Sequence, residues 1–195
     1  KKYTLKNNLY MKKKAKLLNI INNVYFTKKT PVSLIHFLTN RCNARCSFCF
    51  IDFDDPNTFK GELTLEEIGK MTKSLGNTLM NVNFTGGEPF ARKDIIDIAQ
   101  LYIKNTTIRS MYITTNGSLP ERVIDFAKKV SDMDKSLELC FQISIDHIPE
   151  KHNQIRKIKN LFENCILTYS GLKKLNNLKI NSLVTITVTH ENCDD

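Results

Sequence analysis

Three cysteines within eight residues, Cys42, Cys46 and Cys49, form the densest chemical motif in the chain. Thiolates are soft ligands suited to an iron–sulfur cluster or to zinc. Their spacings let one short loop wrap three corners of a compact metal centre. With only three local cysteines, a cubane would keep one iron free of protein ligands and open to a substrate or cofactor. The flanking Arg41 and Arg45 are expected to lower the thiolate pKa values and to offset the cluster's negative charge. Phe48 is placed to shield the centre from water, which tunes its redox potential. Zinc is the competing reading, but it asks for four ligands. The nearest extra candidate, His36, lies back along the preceding strand.

Other polar motifs follow downstream. Gly86-Gly87-Glu88-Pro89 pairs two glycines, which permit close backbone approach, with a carboxylate able to accept from an ammonium group and a proline that fixes the exit. Read alone, it is a turn. Thr114-Thr115-Asn116-Gly117 ends in a pair that favours positive φ, and by itself marks only the end of a strand. Ser144 and Asp146 fall on one face of a strand, with Cys140 and Gln142 below them. A polar file on a buried strand is costly without partners, so a ligand or water lining a barrel explains it better.

Each of these motifs lies just after a predicted strand. Strands are expected over residues 33–39, 81–85, 110–114, 138–145 and 182–189. Helices are expected over 64–75, 94–104 and 120–133, with a long stretch over 152–175 that reads as one helix or two pieces. The first helix opens on Thr64-Leu65-Glu66-Glu67, the pattern of a capping box, and the third on Pro120, well suited to a first helical turn. Five βα repeats imply an α/β fold with a parallel sheet, either doubly wound or a full or partial barrel. Both bind ligands at the carboxyl ends of the strands. The pattern stops at Asp195, where a helix would follow the fifth strand, so the barrel is expected to continue. Residues 10–25 carry Tyr10, Leu17, Ile21 and Val24 between lysines and read as an amphipathic helix docked on the body.

The order Cys-x3-Cys-x2-Cys, Gly-Gly-Glu-Pro, Thr-Asn-Gly and Ser-x-Asp resembles the radical S-adenosylmethionine (SAM) superfamily. The likeness is strongest to members with the SPASM or twitch extension that modify peptides or proteins, and to the molybdenum-cofactor cyclase. The resemblance implies a partial (βα)6-type TIM-like barrel. It also implies a 4Fe–4S cluster on Cys42, Cys46 and Cys49, with SAM at the open iron. By the same resemblance Phe48, Gly86, Gly87, Glu88, Pro89, Thr115, Asn116, Ser144 and Asp146 bind SAM. The stretch His152-Asn153-Gln154-Ile155-Arg156 is similar to one in related enzymes, where the arginine suits a bidentate grip on the SAM carboxylate. Lys157 stands where those enzymes usually have glycine, and the competing reading of Arg156 is a surface helix residue. The family implies a low-potential electron donor of the flavodoxin or ferredoxin type, and a substrate that is a peptide or a small molecule.

Composition is compatible with this. The chain has 195 residues, 41% of them hydrophobic, enough for one packed domain. No apolar run is long enough to span a bilayer and no secretory signal is visible, so a cytoplasmic protein is expected. The formal charge of +9 is concentrated at the start: eleven Lys or Arg precede the first acidic residue, Asp52. Residues 1–30 therefore read as a basic helical extension ahead of a core over 31–195, either a solvated face or an arm for an acidic partner. A zinc-stabilised nucleic-acid module and an inert cluster- or SAM-binding relative are the alternative classes. Gly-Gly-Glu-Pro argues against the first, and nucleic acid is not the expected partner.

Overall fold

The computed structural model describes residues 17–193. Its centre is one parallel sheet in the order β1-β2-β3-β4-β5, the arrangement of a partial (βα) barrel. The strands are β1 (Ser33–Thr39), β2 (Asn81–Gly86), β3 (Ser110–Thr115), β4 (Glu138–Ser144) and β5 (Ile180–Thr185). The helices between them are α1 (Leu65–Ser74), α2 (Ile95–Asn105), α3 (Pro120–Met133), α4 (Pro149–Arg156) and α5 (Leu161–Lys174).

Period-two alternation sorts each strand into two faces. Val82 and Phe84 of β2, Met111 and Ile113 of β3, and Leu139, Phe141 and Ile143 of β4 point toward the helices, all fully buried. They meet Ile68 of α1, Ile98 and Tyr102 of α2, Phe126 and Val130 of α3, and Cys165 of α5 in one core. Phe126 sits edge-on between Phe90 and Phe141. His36 of β1 lies on this face too, its Nδ1 2.9 Å from the Tyr102 hydroxyl. Burial pulls its pKa down to about 4, so it is a neutral core residue facing away from the cysteines.

The other sheet face is polar and uncharged through its middle. Asn83, Tyr112 and Cys140 stand in register there, and Thr114 pairs with Gln142 one layer above. Thr114 donates to Gln142 Oε1 at 3.0 Å. The pairing of β1 with β2 slips between Phe37 and Thr39, where the cysteine loop leaves the sheet.

Helix ends follow their residues. Thr64 and Glu67 form the capping box expected of α1. The stretch after β4 is two helices. Lys157 at φ 55° and Asn160 at φ 57° break it, and the Lys157 N–H closes α4 by donating to Asn153 O and Gln154 O.

The N-terminal helix differs from the expectation. Residue 10 lies outside the described residues. Residues 17–22 are helical and continue into a wider turn over Asn23–Thr27. Leu17, Ile21 and Val24 face solvent, whereas Ile20 and Asn23 are buried. Asn23 sets this orientation: its Oδ1 accepts from the Lys29 and Thr30 N–H groups, and its Nδ2 donates to Thr30 O. A buried amide latch, more than an apolar stripe, ties the segment to the residues that lead into β1. Among the described residues no helix is long and apolar enough to cross a membrane.

Candidate functional site

The loop after β1 brings Cys42, Cys46 and Cys49 to the carboxyl end of the sheet, each half-buried and none in a disulfide. They line a cavity of about 290 Å³ together with Phe48, Gly86, Gly87, Thr115, Asn116, Ser144 and Arg156. Ten of the thirteen residues singled out in the sequence thus share one wall. The other three, Glu88, Pro89 and Asp146, stand behind it. A second, more open hollow touches Cys46 and Cys49 from the far side and is lined by Arg45, Phe53 and Lys157.

Glycine is needed at the tip of β2 for contact with the protein's own backbone. Gly86 has φ +122°, and a Cβ there would lie 2.3 Å from Thr39 O. A Cβ on Gly87 would lie 2.3 Å from Arg41 O. Gly87 N donates to Thr39 O at 2.7 Å and Glu88 N to Arg41 O at 2.9 Å, clamping the cysteine loop to β2. The closeness predicted for a ligand is in part spent on this loop.

Glu88 is fully buried. Its carboxylate accepts from Phe90 N at 3.1 Å, Thr115 Oγ1 at 2.8 Å and Asn116 N at 2.8 Å. Burial raises its pKa, and the three donors oppose that shift. It ties the tips of β2 and β3 together. Asp146 does the same for β4 and its neighbours: Oδ2 accepts from Arg156 Nε at 2.6 Å and Oδ1 from Thr187 N at 3.0 Å. Both partners of this ion pair are almost wholly buried. Arg156 is therefore no surface residue. Its guanidinium lies 5.7 Å from the centre of the Phe48 ring and lines the cavity.

The charge that reaches the thiols is also Arg156. Burial raises the Cys42 and Cys46 pKa values, and Arg156 is the leading opposing influence at Cys46. Arg45 opposes the rise only weakly, at Cys42. Arg41, expected beside the thiols, turns outward to Glu62 at 3.5 Å. The helix that carries Arg156 also holds the cysteine loop by its backbone, with Arg45 N donating to Arg156 O and Ser47 N to Ile155 O.

Sequence reasoning missed the fasteners. Thr187 lines the cavity just beyond β5, and its polar alternation with Thr185 was the available signal. Asn192 donates to Asp146 O and Thr187 O, and Ser47 of the cysteine loop donates to Glu191. His152 accepts from Asp146 N through Nδ1, and burial lowers its pKa to about 4.

Among the described residues, no three His, Cys, Asp or Glu side chains are gathered about a single ion. A zinc site requires that convergence. A cubane does not, because each thiolate binds a different iron. Three half-buried thiols on one wall, with a guanidinium beside them and the Ala44 N–H aimed at the Cys42 sulfur, fit such a cluster.

A parallel barrel segment that gathers thiols, glycines and a buried arginine around one cavity at the carboxyl ends of its strands has the form of a cofactor-binding site. Residues 37–195 match the Radical SAM superfamily, and the chain belongs to it. Members of that family use a 4Fe–4S cluster and SAM. The GTP 3′,8-cyclase of Haemophilus influenzae is 32% identical over 152 residues, covering 75% of this chain and 43% of the cyclase. Among solved structures, native anSMEcpe with bound AdoMet superposes with a TM-score of 0.61 at 22% identity, over 80% of this chain and 44% of that one. Streptococcus suis SuiB bound to S-adenosylmethionine gives 0.57 at 17%, over 84% and 36%. The chain spans less than half the length of these relatives.

Proposed function

We propose that this chain binds a 4Fe–4S cluster through Cys42, Cys46 and Cys49 and cleaves SAM reductively. The observation that carries the reading is the single cavity joining those thiols to Gly86, Gly87, Ser144 and Arg156. When bound, the cluster would supply the electron for reductive cleavage of the sulfonium carbon–sulfur bond, and SAM would supply the 5′-deoxyadenosyl group that takes hydrogen from a substrate. The protein's share is positioning and exclusion of water. The Arg156 guanidinium, held through Nε by Asp146, presents its remaining N–H groups to the methionyl carboxylate. The tip backbone at Gly86 and Gly87 and the Ser144 hydroxyl form the walls for the amino acid and ribose. Thr115 and Asn116 close the β3 side, and Phe48 covers the thiols. Glu88, Pro89 and Asp146 act from behind the wall by fixing the strand tips.

The substrate is a peptide or protein side chain, or a small molecule on the way to a cofactor. The structure of SuiB bound to the precursor peptide SuiA supports the first and the GTP 3′,8-cyclase the second. A flavodoxin- or ferredoxin-like donor supplies the electron, and residues 1–30 form a basic extension to a core over 31–195.

The test is anaerobic reconstitution with iron and sulfide, reduction, and assay for 5′-deoxyadenosine. The parent chain yields product, and the variant with all three cysteines changed to alanine yields none. A colourless protein holding zinc contradicts the proposal. A brown protein that leaves SAM intact is an inert relative, or an enzyme whose radical step waits for its substrate or for a further portion of the chain.

A further inference from the structure

Asn116 sits at the tip of β3, 5% exposed, with every polar atom of its side chain committed. Its Oδ1 accepts from Ser118 N at 2.9 Å. One N–H of Nδ2 goes to Asn43 Oδ1 at 2.9 Å, and Nδ2 stands 3.8 Å from Cys42 Sγ. The Ser118 N–H can only donate, so it fixes the oxygen of the amide and turns the NH2 group toward the sulfur. The backbone is held as firmly. Asn116 N donates to the buried Glu88 carboxylate, and Asn116 O accepts from Cys165 Sγ at 3.2 Å.

Cys42 also receives Ala44 N at 3.3 Å. Among the described residues, Cys46 and Cys49 receive no hydrogen bond to sulfur. The two donors therefore single out one thiol of the three.

We propose that Asn116 is a potential-setting residue: its side-chain N–H donates to the Cys42 sulfur and makes the bound cluster easier to reduce. This rests on the three cysteines being cluster ligands. Hydrogen bonds to the sulfurs are among the levers that set iron–sulfur potentials. Reduction adds negative charge, part of which falls on the thiolates, so a donor at sulfur stabilises the reduced form more than the oxidised one. The amide is already oriented by Ser118 and Asn43, so no reorganisation accompanies electron transfer. The same residue that closes the SAM cavity thus biases the electron's arrival.

The experiment compares the reconstituted parent chain with Asn116→Leu, Asn116→Asp and Ser118→Ala. The cluster is reduced potentiometrically and followed by electron paramagnetic resonance, with iron and sulfide counted in each sample. Asn116→Leu removes the donor, and its reduction equilibrium moves about tenfold toward the oxidised form, a fall of about 59 mV for one electron. Asn116→Asp keeps the acceptor for Ser118 N–H, has no donor and adds a negative charge beside the cluster, so its potential falls at least as far. Ser118→Ala loses the hydroxyl that accepts from Asn43 Nδ2 but keeps the backbone N–H that holds the Asn116 oxygen, so the amide stays turned to sulfur and the parent potential holds. Full iron with an unmoved potential in both Asn116 variants overturns the inference. So does loss of iron from both, which makes Asn116 a folding residue only. A parent chain that takes up no cluster contradicts the cofactor assignment itself.

Discussion

Replacing Arg156 with leucine is expected to lower stability by about 3–5 kcal/mol, because it leaves a buried carboxylate without its cation. Among the described residues, Asp146 would keep only the Thr187 N–H as a direct donor to its carboxylate. For a chain of this length that corresponds to a fall in Tm of about 10 °C. The double variant Arg156→Leu with Asp146→Asn removes both charges and should recover much of the loss. SAM affinity should not recover with it, since the guanidinium that meets the carboxylate is gone in both. Thermal unfolding and equilibrium SAM binding on the parent, both single variants and the double variant separate the two roles. If the double variant binds SAM like the parent, Arg156 is structural only.

The second large effect is expected at the β2 tip. Gly86→Ala places a methyl 2.3 Å from Thr39 O in a conformation, φ +122°, that L residues rarely adopt. The obstacle is backbone and has no rotamer to escape into. Overpacking and backbone strain together should cost more than about 3 kcal/mol and displace the cysteine loop from β2. Two alanines calibrate this. Gly61 has φ +78° with nothing within 4 Å, so Gly61→Ala carries strain without collision and should cost about 1–2 kcal/mol. Gly69 is inside α1 with only Leu101 methyls 3.9 Å away, so Gly69→Ala should stabilise by about 0.5–1 kcal/mol. Denaturant unfolding of the three orders them. A Gly86→Ala protein as stable as Gly61→Ala would remove the steric clamp from this account.

The strands were legible because their apolar residues alternate and each is followed by Gly, Asn or a polar break. The right edge of β5 was not. Ile186 and Val188 prolong the alternation, yet the backbone leaves the sheet after Thr185 because Asp146 and Asn192 claim its polar groups. The break between α4 and α5 depends on left-handed backbone at Lys157 and Asn160, and only the asparagine is a type that signals it. Among the candidate site residues, spacing singled out the cysteines and motif order singled out the strand tips, and the fold brings them to one cavity. Which tip residues face the cavity was hidden, since Glu88 and Asp146 look like ligands in sequence and are consumed by neighbours remote along the chain. Arg41 and Arg45 flank the cysteines in sequence, but the arginine that matters to Cys46 arrives from α4.

In the proposed centre, three thiols hold a cubane whose fourth iron is open to SAM. Mössbauer spectroscopy of the chain reconstituted with isotopically enriched iron, recorded with and without SAM, tests it most directly. SAM is expected to shift the signal of one iron and to leave the other three unchanged. A spectrum indifferent to SAM, or one in which all four irons are already equivalent and stay so, would contradict it.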